Sequence, residues 1–80
     1  MQFENIKNVV DKWDPINLLD FAPGDEYDEE CMRILINYCS NSAELGKKIF
    51  SIFSERFEDA FVDNEARCIL IADEIITQGD

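Results

Sequence analysis

Phe3, Ile6, Val9, Val10 and Trp13 recur three or four positions apart, with Glu4, Asn5, Lys7, Asn8, Asp11 and Lys12 between them. Side chains at that spacing share one face of an α-helix, so the pattern predicts an amphipathic helix over Gln2 to Trp13. Asp14-Pro15 should end it, because a residue before proline is driven out of the α region. Asp14 is then expected to cap a short turn with Pro15 at its first position, where the missing N–H is not needed. Ile16, Leu18, Leu19 and Phe21 are too apolar for a solvated loop, and are expected to fold back as a lid over the end of a helical bundle. Pro23-Gly24 reads as a turn, and Asp25 as the N-cap of a second helix.

That second helix is expected over Glu26 to Cys39, with Tyr27, Cys31, Ile34, Leu35 and Tyr38 as its apolar stripe and Met32 and Ile36 widening it. Ser40-Asn41-Ser42 breaks the pattern, and Asn41 with Glu44 three residues on matches a capping box. A third helix should run from Ser42 to Phe61 on the face Leu45, Ile49, Ile52, Phe53 and Phe57, with Phe50 and Phe61 beside it. Gly46 weakens that helix by about 1 kcal/mol relative to alanine, which suggests a close helix crossing. Asp63-Asn64 can cap a fourth helix built on Cys68, Ile71, Ala72, Ile75 and Ile76, flanked by Ile69 and Leu70, with Gly79 as its C-terminal cap. The fold class expected is all-α: one domain over residues 1–80, a compact four-helix bundle with an ordered apolar connection between helices 1 and 2.

Charge changes this picture most. Eighteen acids against seven bases give a net charge of −11 on 80 residues. Nucleic acid and anionic membranes are thereby poor partners, since phosphate binding needs a positive surface. A basic protein is a better one. The acids are unevenly spread: residues 1–30 carry nine and residues 58–80 seven, whereas residues 31–57 carry two acids against Arg33, Lys47, Lys48 and Arg56. The third helix should therefore be the neutral-to-positive part of the surface. No basic-then-apolar leader pattern follows Met1, and the apolar runs are too short to span a bilayer, so a cytoplasmic location is expected. Cys31, Cys39 and Cys68 fall on apolar helix faces and read as free thiols in a reducing compartment.

Candidate chemistry is sparse. The chain has no histidine, which removes Ser-His-Asp and Cys-His pairs and the commonest transition-metal ligand. No C-x-x-C pair points to zinc, and three isolated glycines cannot build a phosphate loop. No catalytic, cofactor-binding or metal-binding residue is assigned, and the protein is expected not to be an enzyme. Carboxylates remain, densest at Asp25, Glu26, Asp28, Glu29 and Glu30. They can offset the helix dipole, present charge to a partner, or do both. An EF-hand reading fails for want of alternating oxygen ligands and a turn glycine. Trp13 and Tyr27 can close the core end or stand out as aromatic anchors of an interface.

Trp13-Asp14-Pro15-Ile16, Leu18-Leu19, Ala22-Pro23 and Asp25-Glu26-Tyr27-Asp28 together resemble the signature of a YugE-like family of small bacterial proteins of unknown function. The likeness covers about sixteen residues, and Asn17 stands where the family commonly has glycine. Asparagine tolerates a left-handed backbone, so the turn can survive. The resemblance implies a small helical fold and a bacterial origin, and brings no activity. A signature concentrated in a connection suggests either a structural lock, with Asp14, Asp25 or Tyr27 bonding loop backbone, or a recognition surface.

The functional expectation is a non-enzymatic acidic module that binds a basic protein through Asp25, Glu26, Asp28, Glu29, Glu30, Trp13 and Tyr27. Its most concrete form is an immunity protein covering the substrate face of a cationic toxin nuclease. The alternative is a structural or regulatory domain that forms a homo-oligomer through Ile16, Leu18, Leu19 and Phe21.

Overall fold

Four helices form where the apolar spacing places them. The computed structural model describes residues 1–17 and 26–79. Within it α1 spans Phe3–Trp13, α2 Asp28–Ile36, α3 Ser42–Phe57 and α4 Glu65–Gly79, with a short 3-10 turn at Glu58–Ala60. The protein is an all-α four-helix bundle. The core draws on every helix: Ile6, Val9 and Val10 from α1, Cys31 and Ile34 from α2, Leu45, Ile49, Ile52 and Phe53 from α3, and Cys68, Ile71, Ala72 and Ile75 from α4. Leu18, Leu19, Phe21 and the expected cap Asp25 lie outside the described residues, as do the turn Pro23-Gly24 and Ala22.

Two of the expected caps are in place. The Asn41 side chain accepts from the Glu44 backbone N–H at 3.0 Å, and the Asn64 side chain from Arg67 N–H at 2.9 Å. Each satisfies one of the amides that a helix start leaves unpaired. Asp14 does something other than cap the Pro15 turn with its side chain. Its backbone is left-handed (φ 43°) and its N–H donates to the Val10 carbonyl at 2.8 Å, closing α1. A turn does follow, with Asn17 N–H donating to the Asp14 carbonyl at 3.1 Å and Asn17 itself left-handed at φ 58°. Asparagine thus supplies the backbone geometry that glycine would provide.

Four expectations need correction. The second helix is shorter than Glu26 to Cys39. Glu26 and Tyr27 form a turn before it, and Asn37 ends it by folding its amide onto the Arg33 carbonyl at 2.8 Å. An asparagine side chain that bonds a nearby carbonyl competes with helix continuation in this way. The third helix stops at Phe57, because Glu58 takes φ 49° and cannot extend an α-helix. Met32 and Ile36 do not widen the core stripe of α2; they are 45% and 75% exposed. Gly79 ends α4 as its last helical residue and takes no left-handed cap conformation.

Gly46 marks the close crossing that its position suggested. A Cβ built there would lie 2.6 Å from the Cα of Ile69 and 2.8 Å from its backbone nitrogen. The obstacle is the main chain of α4, which cannot swing aside like the end of a flexible side chain. Gly46→Ala should therefore lower stability by about 1–3 kcal/mol through overpacking, outweighing a helix-propensity gain of about 1 kcal/mol. Urea denaturation monitored by dichroism checks this, and a more stable variant would contradict the close crossing.

Candidate protein-binding surface

The antiparallel course of the helices brings four helix ends to one pole: the end of α1, the start of α2, the end of α3 and the start of α4. Aromatic packing holds them there. The Phe53 ring lies 5.2 Å from Trp13, 6.0 Å from Tyr27, 5.8 Å from Phe57 and 5.5 Å from Phe61, measured between ring centroids. Several contacts are edge-on or tilted, arrangements each worth about 0.5–1.5 kcal/mol beyond area burial. Polar bonds fix the same ends. The Trp13 indole donates to Asp63 Oδ2 at 2.8 Å, tying the end of α1 to the start of α4. The Tyr27 hydroxyl donates to Asp14 Oδ1 at 2.6 Å and accepts from the Ile16 backbone N–H at 3.2 Å.

Trp13 therefore closes the core end, half-buried against Phe53 and Phe61. Tyr27 is fully buried, which removes it from any accessible surface. Its burial is explained by the dual fit of the residue: the ring joins the aromatic cluster while the hydroxyl locks the Asp14–Asn17 turn. The lock suggested by the Trp-Asp-Pro signature is thus present. Tyr27→Phe keeps the ring but leaves the Ile16 amide without this acceptor and Asp14 without this donor. A loss of about 1 kcal/mol is expected in chemical denaturation, since both groups are half-buried. Unchanged stability would show the lock to be idle.

The acidic cluster at the start of α2 divides by environment. Glu26 and Glu29 are exposed. Asp28 is half-buried and bonds Lys7 at 2.6 Å; Lys7 also pairs with Asp11 at 3.2 Å. The Asp28 bond, followed by Asp11, holds the Lys7 ammonium above its ordinary pKa against the opposing effect of burial. Glu30 faces inward and is 1% exposed, which corrects its place in the expected surface. It sits 3.6 Å from the Arg56 guanidinium, and its Oε1 has no hydrogen-bond partner. Asp25 lies outside the described residues.

Other acids meet Glu26 and Glu29 at this pole. Glu58 and Asp59 are exposed on the turn from α3 to α4, which also carries Val62, a large apolar side chain 82% exposed, and Glu65 is exposed at the first position of α4. Among the described residues Glu26, Glu29, Glu58, Asp59 and Glu65 form no ion pair. The second acid group was visible in the sequence only as a local excess of charge. Nothing in linear order says that residues 26–29 and 58–65 share one end; the helix directions and the bonds of Trp13 and Tyr27 decide that.

The interior is chemically quiet. Burial pushes the Cys31 and Cys68 thiols up to about 12, so both stay protonated near neutrality and are poor nucleophiles. Cys39 is only half-buried, not a core residue. Among the described residues no three His, Cys, Asp or Glu side chains gather so as to hold a metal ion, and no helix is long and apolar enough to cross a membrane. The fold class is that of a small helical bundle. No family model, curated protein or solved structure matches the chain.

Burial raises the pKa of Glu30, with Arg56 opposing the shift. The folded state then binds the Glu30 proton more tightly than the unfolded state. Glu30 should subtract stability as pH rises from the ordinary carboxylate range through its raised folded pKa. Glu30→Gln removes that step. Denaturation from pH 4 to 8 should show the variant gaining on the parent chain with increasing pH, and a constant difference would contradict the burial of a charge there.

Proposed function

We propose that the protein is a non-enzymatic binding module that presents its acidic pole to a basic protein. One observation carries this reading: the antiparallel fold gathers exposed, unpaired Glu26, Glu29, Glu58, Asp59 and Glu65 at one end, over a rigid aromatic floor. Carboxylates already paired within the chain are committed to the fold, as Asp28 and Glu30 are. These five remain available to another molecule. Preorganised charge of one sign steers an oppositely charged partner and fixes its register. Exposed Val62 offers the apolar contact that such a surface needs at its centre.

The most concrete form of the reading is a cytoplasmic immunity protein of bacterial origin that covers the cationic substrate face of a toxin nuclease. Small size, a net charge of −11 and the absence of histidine are consistent with it. The likeness of residues 13–28 to YugE-like proteins supports the bacterial origin and adds no activity.

The test is affinity capture from native lysate with the parent chain and with a variant carrying Glu26→Lys, Glu29→Lys, Glu58→Lys and Asp59→Lys. The parent should retain a basic protein, and raising salt from 0.05 to 0.5 M should release it. The variant should bind at least about a hundredfold more weakly, because four attractive contacts become repulsive. Equal retention by both chains would remove the acidic pole from the account. A captured nuclease whose activity the parent chain blocks would support the immunity form, and a captured partner with no such activity would refute it.

A further inference from the structure

α2 departs from the usual burial pattern at three positions, although Cys31 and Ile34 are buried as expected. It turns Glu30 into the protein while Met32 and Ile36 point out at 45% and 75% exposure. Glu29, Met32 and Ile36 are spaced three and then four residues apart and are all exposed, so they form one outward stripe along the helix. The stripe has opposite charges at its ends. Glu29 stands in the first turn. At the other end Lys48 Nζ donates to the Asn37 carbonyl at 3.0 Å, which holds an ammonium group at the last turn of α2. Lys47 and Lys48 line an open groove of about 270 Å³ there with Asn37, Ser51 and Ile52.

We propose that this stripe is a self-complementary interface on which a second copy of the chain docks, α2 against α2, antiparallel about a two-fold axis. Two-fold pairing requires that each contact occur twice, with residue i of one copy meeting residue j of the other. Antiparallel placement about the Met32–Arg33 midpoint sets Glu29 of each copy against the Ile36–Asn37 end of its mate. The rise of 1.5 Å per residue puts these positions about 10 Å apart, equally on both copies. Each Glu29 carboxylate then meets the Lys47 and Lys48 ammonium groups, and the Met32 and Ile36 side chains cover each other between the two charged contacts. The helix dipoles also oppose, which favours antiparallel over parallel pairing. One nine-residue helix face is small beside the roughly 800 Å² per partner of a stable complex, so the dimer is a weak, reversible one.

This inference shares Glu29 with the acidic-pole reading and is separable from it through Ile36 and the two lysines, which lie at the other end of α2. Sedimentation equilibrium in 0.15 M NaCl, where long-range repulsion between two acidic chains is largely screened, tests it from 10 µM to 1 mM. The mass should rise from 9.3 kDa toward twice that value. Ile36→Glu should stay monomeric throughout while its dichroism spectrum is unchanged, because an exposed side chain is not needed for folding. Glu29→Lys and Lys48→Glu should each weaken association about tenfold or more. Mixing those two variants should restore it, because both contacts in the mixed pair are again between opposite charges. A parent chain that remains monomeric at 1 mM overturns the proposal, as does Ile36→Glu associating like the parent. A mixture no tighter than either variant alone overturns the antiparallel charge pairing.

Discussion

Phe53 is the point on which the acidic end of the bundle depends. Its ring is fully buried and meets aromatic side chains from α1, from the turn before α2, from α3 itself and from the turn before α4. Each of those segments carries acids, and like charges brought to one end repel. Desolvated aromatic area is the offsetting term. Large rings lose few rotors on ordering, so their burial is a cheap way to hold helix ends in place. The polar bonds of Trp13 and Tyr27 then fix direction, because a hydrogen bond restricts angle where ring packing alone does not. The acidic surface exists because the aromatic floor can hold it.

Much of the fold was legible in the sequence, and the reason is visible residue by residue. The stripe of α1 is narrow, so its spacing selects one face, and the broader apolar runs of α3 and α4 still repeat with helical spacing. Asn41 and Asn64 sit at the positions where a side-chain oxygen can reach a free amide, and both do. Gly46 interrupts a good helix for a reason only a close neighbour supplies, and Ile69 of α4 is that neighbour. α2 was harder. Tyr27, Cys31, Met32, Ile34, Leu35 and Ile36 cover too wide an arc for periodicity to choose among them. The choice falls to tertiary packing: Tyr27 is drawn in by the aromatic cluster, and its neighbours one turn along follow. Glu30 shares that inward face and is carried with them, while Met32 and Ile36 are turned out.

The candidate site was half legible for a related reason. Residue type identified the acids at 25–30 but not their fates. Lys7 and Arg56, distant in sequence, engage Asp28 and Glu30, and Tyr27 is claimed by Asp14 and Ile16. What is left exposed is set by which cations and hydroxyls the fold happens to bring near. The contribution of Glu58, Asp59 and Glu65 depends wholly on topology, since α2 runs away from the pole and α3 runs back, which returns the start of α4 to the end of α1. Charge counts along the chain are blind to such reversals.

Charge and stability pull against each other in this molecule, and the arrangement of ion pairs shows where each prevails. Near the core, carboxylates are matched: Lys7 bridges Asp11 and Asp28, and Arg56 stands by Glu30 while its guanidinium also rests 5.1 Å from the Phe57 ring centroid. Arg56 is itself half exposed, so it offsets the desolvation of Glu30 only in part, and the carboxyl's raised pKa follows from that imbalance. At the surface of the pole, by contrast, no cation among the described residues pairs with Glu26, Glu29, Glu58, Asp59 or Glu65. A chain selected for stability alone would intersperse lysines there, as mixed charge lowers self-repulsion at little expense. Lys47 and Lys48 stand elsewhere, at the α2–α3 groove, while Lys12, Arg56 and Arg67 lie on helix ends at the pole and pair with none of these five acids. Leaving these five acids unpaired weakens the monomer slightly and strengthens the local negative field. Under the proposed function, a basic partner completes the missing half of that charge.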